Sequence, residues 1–164
     1  MGRILDACCG GRMFWFDKQN EHTTYMDNRE LDEILCDGRR FTVEPDVVAD
    51  FRDMPFRDQL FDLVVFDPPH LIRLGDRSYM NIKYSKLDKD TWQDDLKKGF
   101  NECWRVLKDN GTMVFKWNED QIRIADVLKL FPQKPICGNR DGKNGHTHWL
   151  VFFKDGGDCV ANQQ

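Results

Sequence analysis

Four short apolar runs in the first part of the chain each stop at an aspartate, and this pattern strongly constrains the fold. The runs cover residues 3–6, 23–26, 47–49 and 61–66, and they end at Asp6, Asp27, Asp50 and Asp67. Short apolar runs rich in strand-forming residues and bounded by turn residues predict β-strands. The run 61–66 is almost continuously apolar, which is typical of a central parallel strand buried on both faces.

Helix patterns lie between several of these strands. A helix is predicted to begin at residues 13–18, after the Gly10-Gly11 turn, and a short helix or turn at 31–36. Apolar residues recur at three- and four-residue spacing across residues 92–107, which predicts an amphipathic helix. Asp90 or Thr91 is its expected N-cap, and Asn110-Gly111 its left-handed stop. The remaining predicted elements are a long polar loop at 71–89, strands at 112–117, 135–137 and 147–153, a helix at 122–131, and a turn-rich connection at 138–145.

Alternation of strands and helices predicts a doubly wound, Rossmann-like α/β fold with a seven-stranded, mostly parallel sheet. The last two strands are separated by about eight residues, which is too short for a crossover helix. The seventh strand is therefore expected to run antiparallel to the sixth. Residues 1–155 are predicted to form one domain, and residues 156–164 a disordered tail.

Composition narrows the class of protein. The 164 residues are 40% hydrophobic, enough for one sizeable core. No run approaches the roughly 18 apolar residues of a membrane span. The six cysteines include no C-x-x-C pair, and no Cys/His spacing matches a metal site. We therefore expect free thiols, no bound metal, no membrane contact and a cytoplasmic location.

Basic residues concentrate in two segments, although the formal net charge is -4. Residues 70–89 contain five basic and two acidic residues, and residues 132–154 contain four basic and one acidic residue. Ligands of doubly wound sheets bind beyond the carboxyl ends of the parallel strands. With a parallel sixth strand, both segments are expected to border that mouth. The negative net charge excludes a nucleic-acid surface spread over the whole protein, so such a contact is expected only there.

Three of the strand ends form a candidate site for a nucleoside-bearing cofactor. Glycines in the turn after the first strand let the backbone approach a ligand closely. Asp27 ends the second strand, where a carboxylate can accept hydrogen bonds from ribose hydroxyls. Asp50 ends the third strand, where it could meet an adenine edge. A dinucleotide is disfavoured, because the turn does not match the G-x-G-x-x-G pattern that binds a pyrophosphate.

These features resemble the class I S-adenosylmethionine (SAM)-dependent methyltransferases over nearly the whole chain. The resemblance rests on the first strand with its Gly10-Gly11 turn, on residues 50–56 with the strand 61–65, and on residues 104–111. It implies SAM as the cofactor, bound at its methionine end by the turn, at its ribose by Asp27 and at its adenine by Asp50 and Phe51. The full set of expected cofactor residues is Asp6, Ala7, Cys8, Cys9, Gly10, Asp27, Asn28, Asp50 and Phe51.

The tetrapeptide Asp67-Pro68-Pro69-His70 follows the fourth strand and is the expected chemical site. It resembles the D-P-P-Y motif of methyltransferases that act on adenine N6, cytosine N4, guanine N2 or a glutamine amide. A conjugated amino nitrogen is a poor nucleophile, and the Asp67 carboxylate and the Pro68 carbonyl can each accept one of its N–H groups. Two prolines stiffen the turn, so both oxygens are positioned before the substrate binds. His70 stands where an aromatic ring would stack on the acceptor.

Five residues near the same edge are candidates for binding the acceptor: Arg73, Lys116, Trp117, Arg140 and His146. Lys116 and Trp117 end the fifth strand, a position that also fits a solvated lysine and a core tryptophan. Arg140 and His146 lie in a glycine-rich connection that also fits an ordinary hairpin loop. Arg73 opens the basic loop, which fits either a lid, a nucleic-acid contact or a solvated segment.

The favoured function is methyl transfer to an amino nitrogen of a nucleic-acid base, with adenine N6 in DNA as the first choice. The stretch between the two motifs is too short for a target-recognition domain. We also expect no helix before the first strand, although one often precedes it in such enzymes. Base flipping would then require a partner protein, another subunit or a single-stranded substrate. The alternatives are a small-molecule or protein side-chain acceptor, and a non-catalytic SAM-binding partner subunit. The sequence leaves the oligomeric state open.

Overall fold

The computed structural model describes residues 3–75, 79–141 and 145–156. The strands are β1 (Ile4–Asp6), β2 (Thr23–Asp27), β3 (Leu31–Ile34), β4 (Arg40–Val43), β5 (Val47–Val48), β6 (Phe61–Phe66), β7 (Leu107–Asn118), β8 (Cys137–Asp141) and β9 (Thr147–Phe153). The helices are α1 (Tyr79–Tyr84), α2 (Trp92–Val106) and α3 (Ile124–Leu128). Within the described residues, no helix is both long and apolar enough to cross a bilayer.

Seven strands form one sheet in the order β5-β2-β1-β6-β7-β9-β8, and β3 and β4 form a separate hairpin. Neighbouring strands from β5 to β7 are parallel, whereas β9 is antiparallel to both β7 and β8. The expected mostly parallel α/β sheet with an antiparallel last strand is therefore confirmed. Its order places β1 and β6 at the centre, so the loops that follow them meet at one edge.

The core lies on the side of the sheet covered by α2 and α3. On β7 the alternating residues Met113, Phe115 and Trp117 are fully buried, as the two-residue period of a strand requires. The α2 residue Phe100 stacks on Phe131 with a ring separation of 4.0 Å. It also packs edge-on against Phe152 of β9. These aromatic contacts hold α2 and the segment that follows α3 against the same face.

The predicted helix at residues 13–18 is wrong, since this segment is an irregular aromatic loop. Trp15 packs edge-on against Tyr25, and the Arg12 guanidinium lies 3.7 Å from the centre of the Tyr25 ring. Arg12 also donates hydrogen bonds to two backbone carbonyls, at Lys18 and Glu44. Side-chain contacts with the sheet therefore hold residues 13–18 in an irregular conformation, in place of the predicted helix.

The predicted helix or turn at residues 31–36 is also wrong, because this segment pairs with 40–43 as the β3–β4 hairpin. Three buried side chains, Leu35, Phe41 and Val43, form a small core of their own, and Ile82 of α1 packs against it. The local apolar spacing was too short to distinguish a hairpin from a helical turn.

Several element boundaries also differ from expectation. The loop predicted at 71–89 contains α1. Helix α2 ends at Val106, and β7 begins at the next residue, four residues before Gly111. Asn110 (φ +61°) therefore lies within β7 and does not end the helix. Helix α3 is shorter than the predicted 122–131. Strand β8 begins at Cys137, the last residue of the predicted strand 135–137, and runs to Asp141 through the first half of the expected turn-rich connection. The tail after Gly156, together with Arg77 and Lys143, lies outside the described residues.

Candidate active site

A cleft of about 350 Å³ opens at the carboxyl ends of the parallel strands. It lies against the turn after β1, the ends of β2 and β6, the segment after β5, and residues 83–88. The predicted cofactor and catalytic residues that line it are Ala7, Cys8, Cys9, Gly10, Asp27, Asn28, Asp50, Phe51, Asp67, Pro68, Pro69 and His70. The predicted cofactor site and the predicted chemical site thus share one cleft, although Gly10 and Asp67 are 57 positions apart in the sequence.

The turn after β1 is held open by backbone geometry. Gly10 has a φ of +48°, and a side chain built there would meet no atom within 4 Å, so the backbone faces open space. The Cys9 N–H donates to the Met26 carbonyl, and the Gly10 N–H donates to the Asp27 carboxylate at 3.0 Å. The turn is therefore tied to β2 and presents its bare backbone to the cleft.

Asp6 does not line the cleft, which corrects its predicted contact with the cofactor. Its side chain is fully buried, and its carboxylate accepts a hydrogen bond from the Trp15 indole N–H at 2.6 Å. Burial raises the pKa of Asp6 from 3.8 to about 7, and the Trp15 hydrogen bond opposes part of that rise. Asp6 thus supports the turn from below by anchoring the aromatic loop.

Asp27 is buried and oriented by two partners. Besides Gly10, it accepts hydrogen bonds from the backbone N–H of Arg29 and from its guanidinium Nε at 3.0 Å. Arg29 also donates to the Ile82 carbonyl of α1, so it joins the end of β2 to the segment above the cleft. This position suits the predicted ribose contact, with Arg29 as a neighbour that the sequence analysis did not identify.

Asp50 and Phe51 line the cleft where the adenine is expected, and each also contacts a neighbouring side chain. Arg52 binds Asp50 through both guanidinium Nε and Nη2, and reaches Asp95 of α2 at 2.9 Å. The Arg52 guanidinium beside Asp50 lowers the pKa of that carboxyl. The Phe51 ring packs against Phe66 in the core, so it cannot stack on a ligand with its buried face.

The Asp67 carboxylate forms an ion pair with Lys116, whose Nζ lies 2.6 Å from Oδ2. The pair is partly shielded, with 18% of the Asp67 side chain and 25% of the Lys116 side chain exposed. Phe66 and Phe115 are partners in the β6–β7 register, so the next residues on each strand are neighbours on the same face. Lys116 therefore lies in the cleft beside the expected catalytic carboxylate.

The His70 ring is held between α1 and β7. Its centre lies 6.1 Å from that of Tyr84 and 6.2 Å from that of Trp117. Burial lowers the pKa of His70 below its usual 6.5, since desolvation disfavours the charged ring. A neutral, partly enclosed imidazole at this position can contact a planar acceptor. The buried Pro68 holds the turn rigid below it.

Among the predicted acceptor-binding residues whose side chains are described, Lys116 lines the cleft, whereas Arg73, Trp117 and His146 do not. Trp117 is fully buried, with its indole N–H donating to the Ile122 carbonyl. His146 pairs with Asp120 beyond the end of β7. The backbone of Arg73 is held by the Gln121 side chain, and its own side chain is exposed. Arg140 lies in β8, not in a loop, and its side chain is outside the described part.

The two basic segments predicted to border the cleft, 70–89 and 132–154, differ in their positions. Lys83 and Lys86 line it, as expected for the first segment. Lys154 of the second segment donates to the carbonyls of Trp104 and Leu107, near the start of β7 and away from the mouth. Only the first segment supplies described basic side chains to the cleft.

Two aromatic residues near Lys116 were not predicted. Lys116 Nζ lies 5.5 Å from the ring centre of Phe14 and 5.6 Å from that of Trp149. Phe14 comes from the irregular loop and also lines the cleft, and it packs edge-on against Trp149. The aromatic run 14–16 was a signal for this wall, but its partner on β9 could not be identified from sequence spacing.

No protein-family model and no curated protein matches the chain. Solved structures match it over almost its whole length. The PH0226 protein of Pyrococcus horikoshii is 16% identical with a TM-score of 0.57, covering 94% of this chain and 83% of that one. A TehB-like SAM-dependent methyltransferase of Corynebacterium glutamicum is 19% identical with a TM-score of 0.54, covering 94% and 80%. The N-methyltransferase NodS of Bradyrhizobium japonicum is 12% identical with a TM-score of 0.51, covering 94% and 86%.

The chain has the class I methyltransferase fold. Two features of the cleft beyond β1 and β2 fit SAM as a ligand. Its volume falls in the range of about 300–1,000 Å³ typical of small-molecule sites. Gly10 leaves the backbone open beside a buried, pre-oriented Asp27 carboxylate. The fold thus brings the candidate cofactor residues Gly10 and Asp27 and the Asp67 carboxylate to one cleft.

Proposed function

We propose that this protein is a SAM-dependent methyltransferase that methylates an amino nitrogen, with adenine N6 of DNA as the favoured acceptor. The observation that carries this proposal is the shared cleft, in which Asp67-Pro68-Pro69-His70 lies beside Gly10 and Asp27. A fold without this motif at the end of β6 would support only cofactor binding.

The residues have distinct roles in this proposal. The turn after β1 binds the methionine end of SAM, and Asp27 accepts hydrogen bonds from its ribose. When bound, SAM would supply a methyl group whose bond to the positively charged sulfur breaks as its bond to nitrogen forms, leaving S-adenosylhomocysteine, and the proton lost by the nitrogen would pass to solvent. The Asp67 carboxylate and Pro68 carbonyl accept the N–H groups of the acceptor and orient its lone pair. The His70 ring contacts the planar acceptor from one side.

A nucleic-acid acceptor requires access to an unpaired base. The cleft is bordered by Lys83 and Lys86, which suit a phosphate backbone. A partner protein or a single-stranded substrate would present the base. A small-molecule acceptor is the second candidate, because residues 83–88 line the cleft from above and restrict its size.

The test is incubation of the protein with methyl-labelled SAM and, separately, duplex DNA, single-stranded DNA, RNA and a small-molecule extract. We expect label in nucleic acid, recovered after digestion as an N-methylated nucleoside by mass spectrometry. Label confined to the small-molecule fraction would favour the second candidate. No transfer to any acceptor would reject the enzyme.

Asp67→Ala is expected to lower the rate of this transfer by about 100- to 1,000-fold, because a positioned hydrogen-bond acceptor is lost at the reacting nitrogen. Binding of S-adenosylhomocysteine, measured by calorimetry, should persist in the variant. The exposed Asp53 offers a matched control, and Asp53→Ala should transfer at the wild-type rate. If Asp67→Ala transfers the methyl group at the wild-type rate, Asp67 takes no part in the reaction.

A further inference from the structure

The cleft contains five basic and five acidic side chains, and the acidic ones are largely committed to basic partners. Asp27 pairs with Arg29, Asp50 and Asp95 pair with Arg52, and Asp67 pairs with Lys116. The cleft is therefore not an anionic pocket, because four of its five acidic side chains pair with basic ones.

Lys116 is held in place from three sides. Its ammonium lies 2.6 Å from Asp67 Oδ2 and within 5.6 Å of the ring centres of both Phe14 and Trp149. Aromatic faces attract a cation at such distances. In the β7–β9 register Lys116 is also the direct partner of Trp149. The lysine is a built part of the acceptor wall and not a mobile surface charge.

The pair limits which nitrogen can approach Asp67. Among the described residues, Lys116 is the partner of Oδ2, and Oδ1 has none. An incoming ammonium would bind next to a second ammonium on the same carboxylate, and like charges repel strongly at a partly shielded site. An uncharged amine adds no charge and can donate one N–H to Oδ1 and the other to the Pro68 carbonyl.

We propose that Lys116 is a specificity-determining residue that, by neutralising Asp67, admits uncharged conjugated amines or amides and excludes protonated alkylamines. This inference rests on the proposed function and names its acceptor class. Nucleobase amino groups and side-chain amides belong to the admitted class. Lysine side chains and other alkylamines, which are cationic near neutral pH, do not.

The test compares two small probes of similar size on protein saturated with S-adenosylhomocysteine, by NMR titration at pH 7.5. The probe 2-aminopyrimidine is an uncharged conjugated amine, and benzylamine is a cationic alkylamine. We expect wild type to bind 2-aminopyrimidine at least ten-fold more tightly. Lys116→Met should shift the affinity ratio at least ten-fold toward benzylamine, whereas Lys116→Arg should keep the wild-type ratio.

Lys116→Gln serves as a second neutral variant if Lys116→Met does not fold. An unchanged ratio in the neutral variants would overturn the inference, as would wild-type binding of benzylamine equal to or tighter than that of 2-aminopyrimidine. Absence of 2-aminopyrimidine binding to the loaded wild type would overturn it too. Failure of S-adenosylhomocysteine itself to bind would refute the proposed function and is measured first, in a separate calorimetric titration.

Discussion

Asp6→Asn is expected to change how the stability of the protein depends on pH. Asp6 is fully buried, and its carboxylate accepts hydrogen bonds from the Trp15 indole N–H at 2.6 Å and from the Cys8 N–H at 3.3 Å. Asparagine has nearly the same shape, and its oxygen can still accept the Trp15 hydrogen bond. The substitution therefore removes a titrating group while preserving most of the packing.

The magnitude follows from the pKa of Asp6, which burial raises from 3.8 to about 7. Because the folded-state pKa is the higher one, the contribution of Asp6 to stability is fully present below pH 3.8 and is lost as the pH rises through 7. The full loss corresponds to a free energy on the order of 4 kcal/mol. Between pH 5 and pH 8, the wild type should lose roughly 2–3 kcal/mol that the variant keeps.

The assay is urea unfolding of both proteins at half-unit pH steps from 5 to 8, followed by tryptophan fluorescence and circular dichroism. The quantity of interest is the difference between the two free energies of unfolding, because titration of all other groups cancels in it. Asp53→Asn, at an exposed position, is the control and should run parallel to wild type. The prediction is wrong if the difference in free energy of unfolding between wild type and Asp6→Asn stays constant within about 0.5 kcal/mol from pH 5 to 8.

Two further predictions concern the core and the cofactor wall. Gly99→Ala in α2 should destabilise the protein by about 1–3 kcal/mol in chemical denaturation, although alanine favours helices, because the added carbon would clash with the Phe51 ring and lie 2.8 Å from Phe66. A more stable variant would contradict this packing. Asp27→Asn should weaken S-adenosylhomocysteine binding about ten- to a hundred-fold in calorimetry, because a charged hydrogen-bond acceptor is lost. Unchanged affinity would place the ribose elsewhere.

The sheet and its ligand edge could be predicted from local sequence. The strands that end at Asp6, Asp27 and Phe66 are apolar runs stopped by polar residues, and a buried parallel strand requires that composition wherever it lies in the sheet. The short connection before β9 likewise left no room for a crossover, so its antiparallel direction followed from chain length alone. All the expected cofactor and catalytic residues except Asp6 line the cleft, because the strand ends meet at one edge of the sheet.

Short segments were not predictable in the same way. Residues 13–18 and 31–36 each offer too few turns for a helical period to be distinguished from other patterns. Their conformations depend on partners far away in sequence, such as Trp15 on Tyr25 and the hairpin side chains on Ile82. Tertiary contacts overrode local preference at both places.

The sequence by itself determined that Asp67 would end a central strand at the ligand edge, since an apolar run followed by Asp-Pro-Pro can hardly continue as a strand. It could not determine that Lys116 would neutralise that carboxylate. That pairing depends on the register between β6 and β7, in which Phe66 is aligned with Phe115. This register depends on how both strands pack against α2 and on how β7 pairs with β9, and only the tertiary structure contains this information.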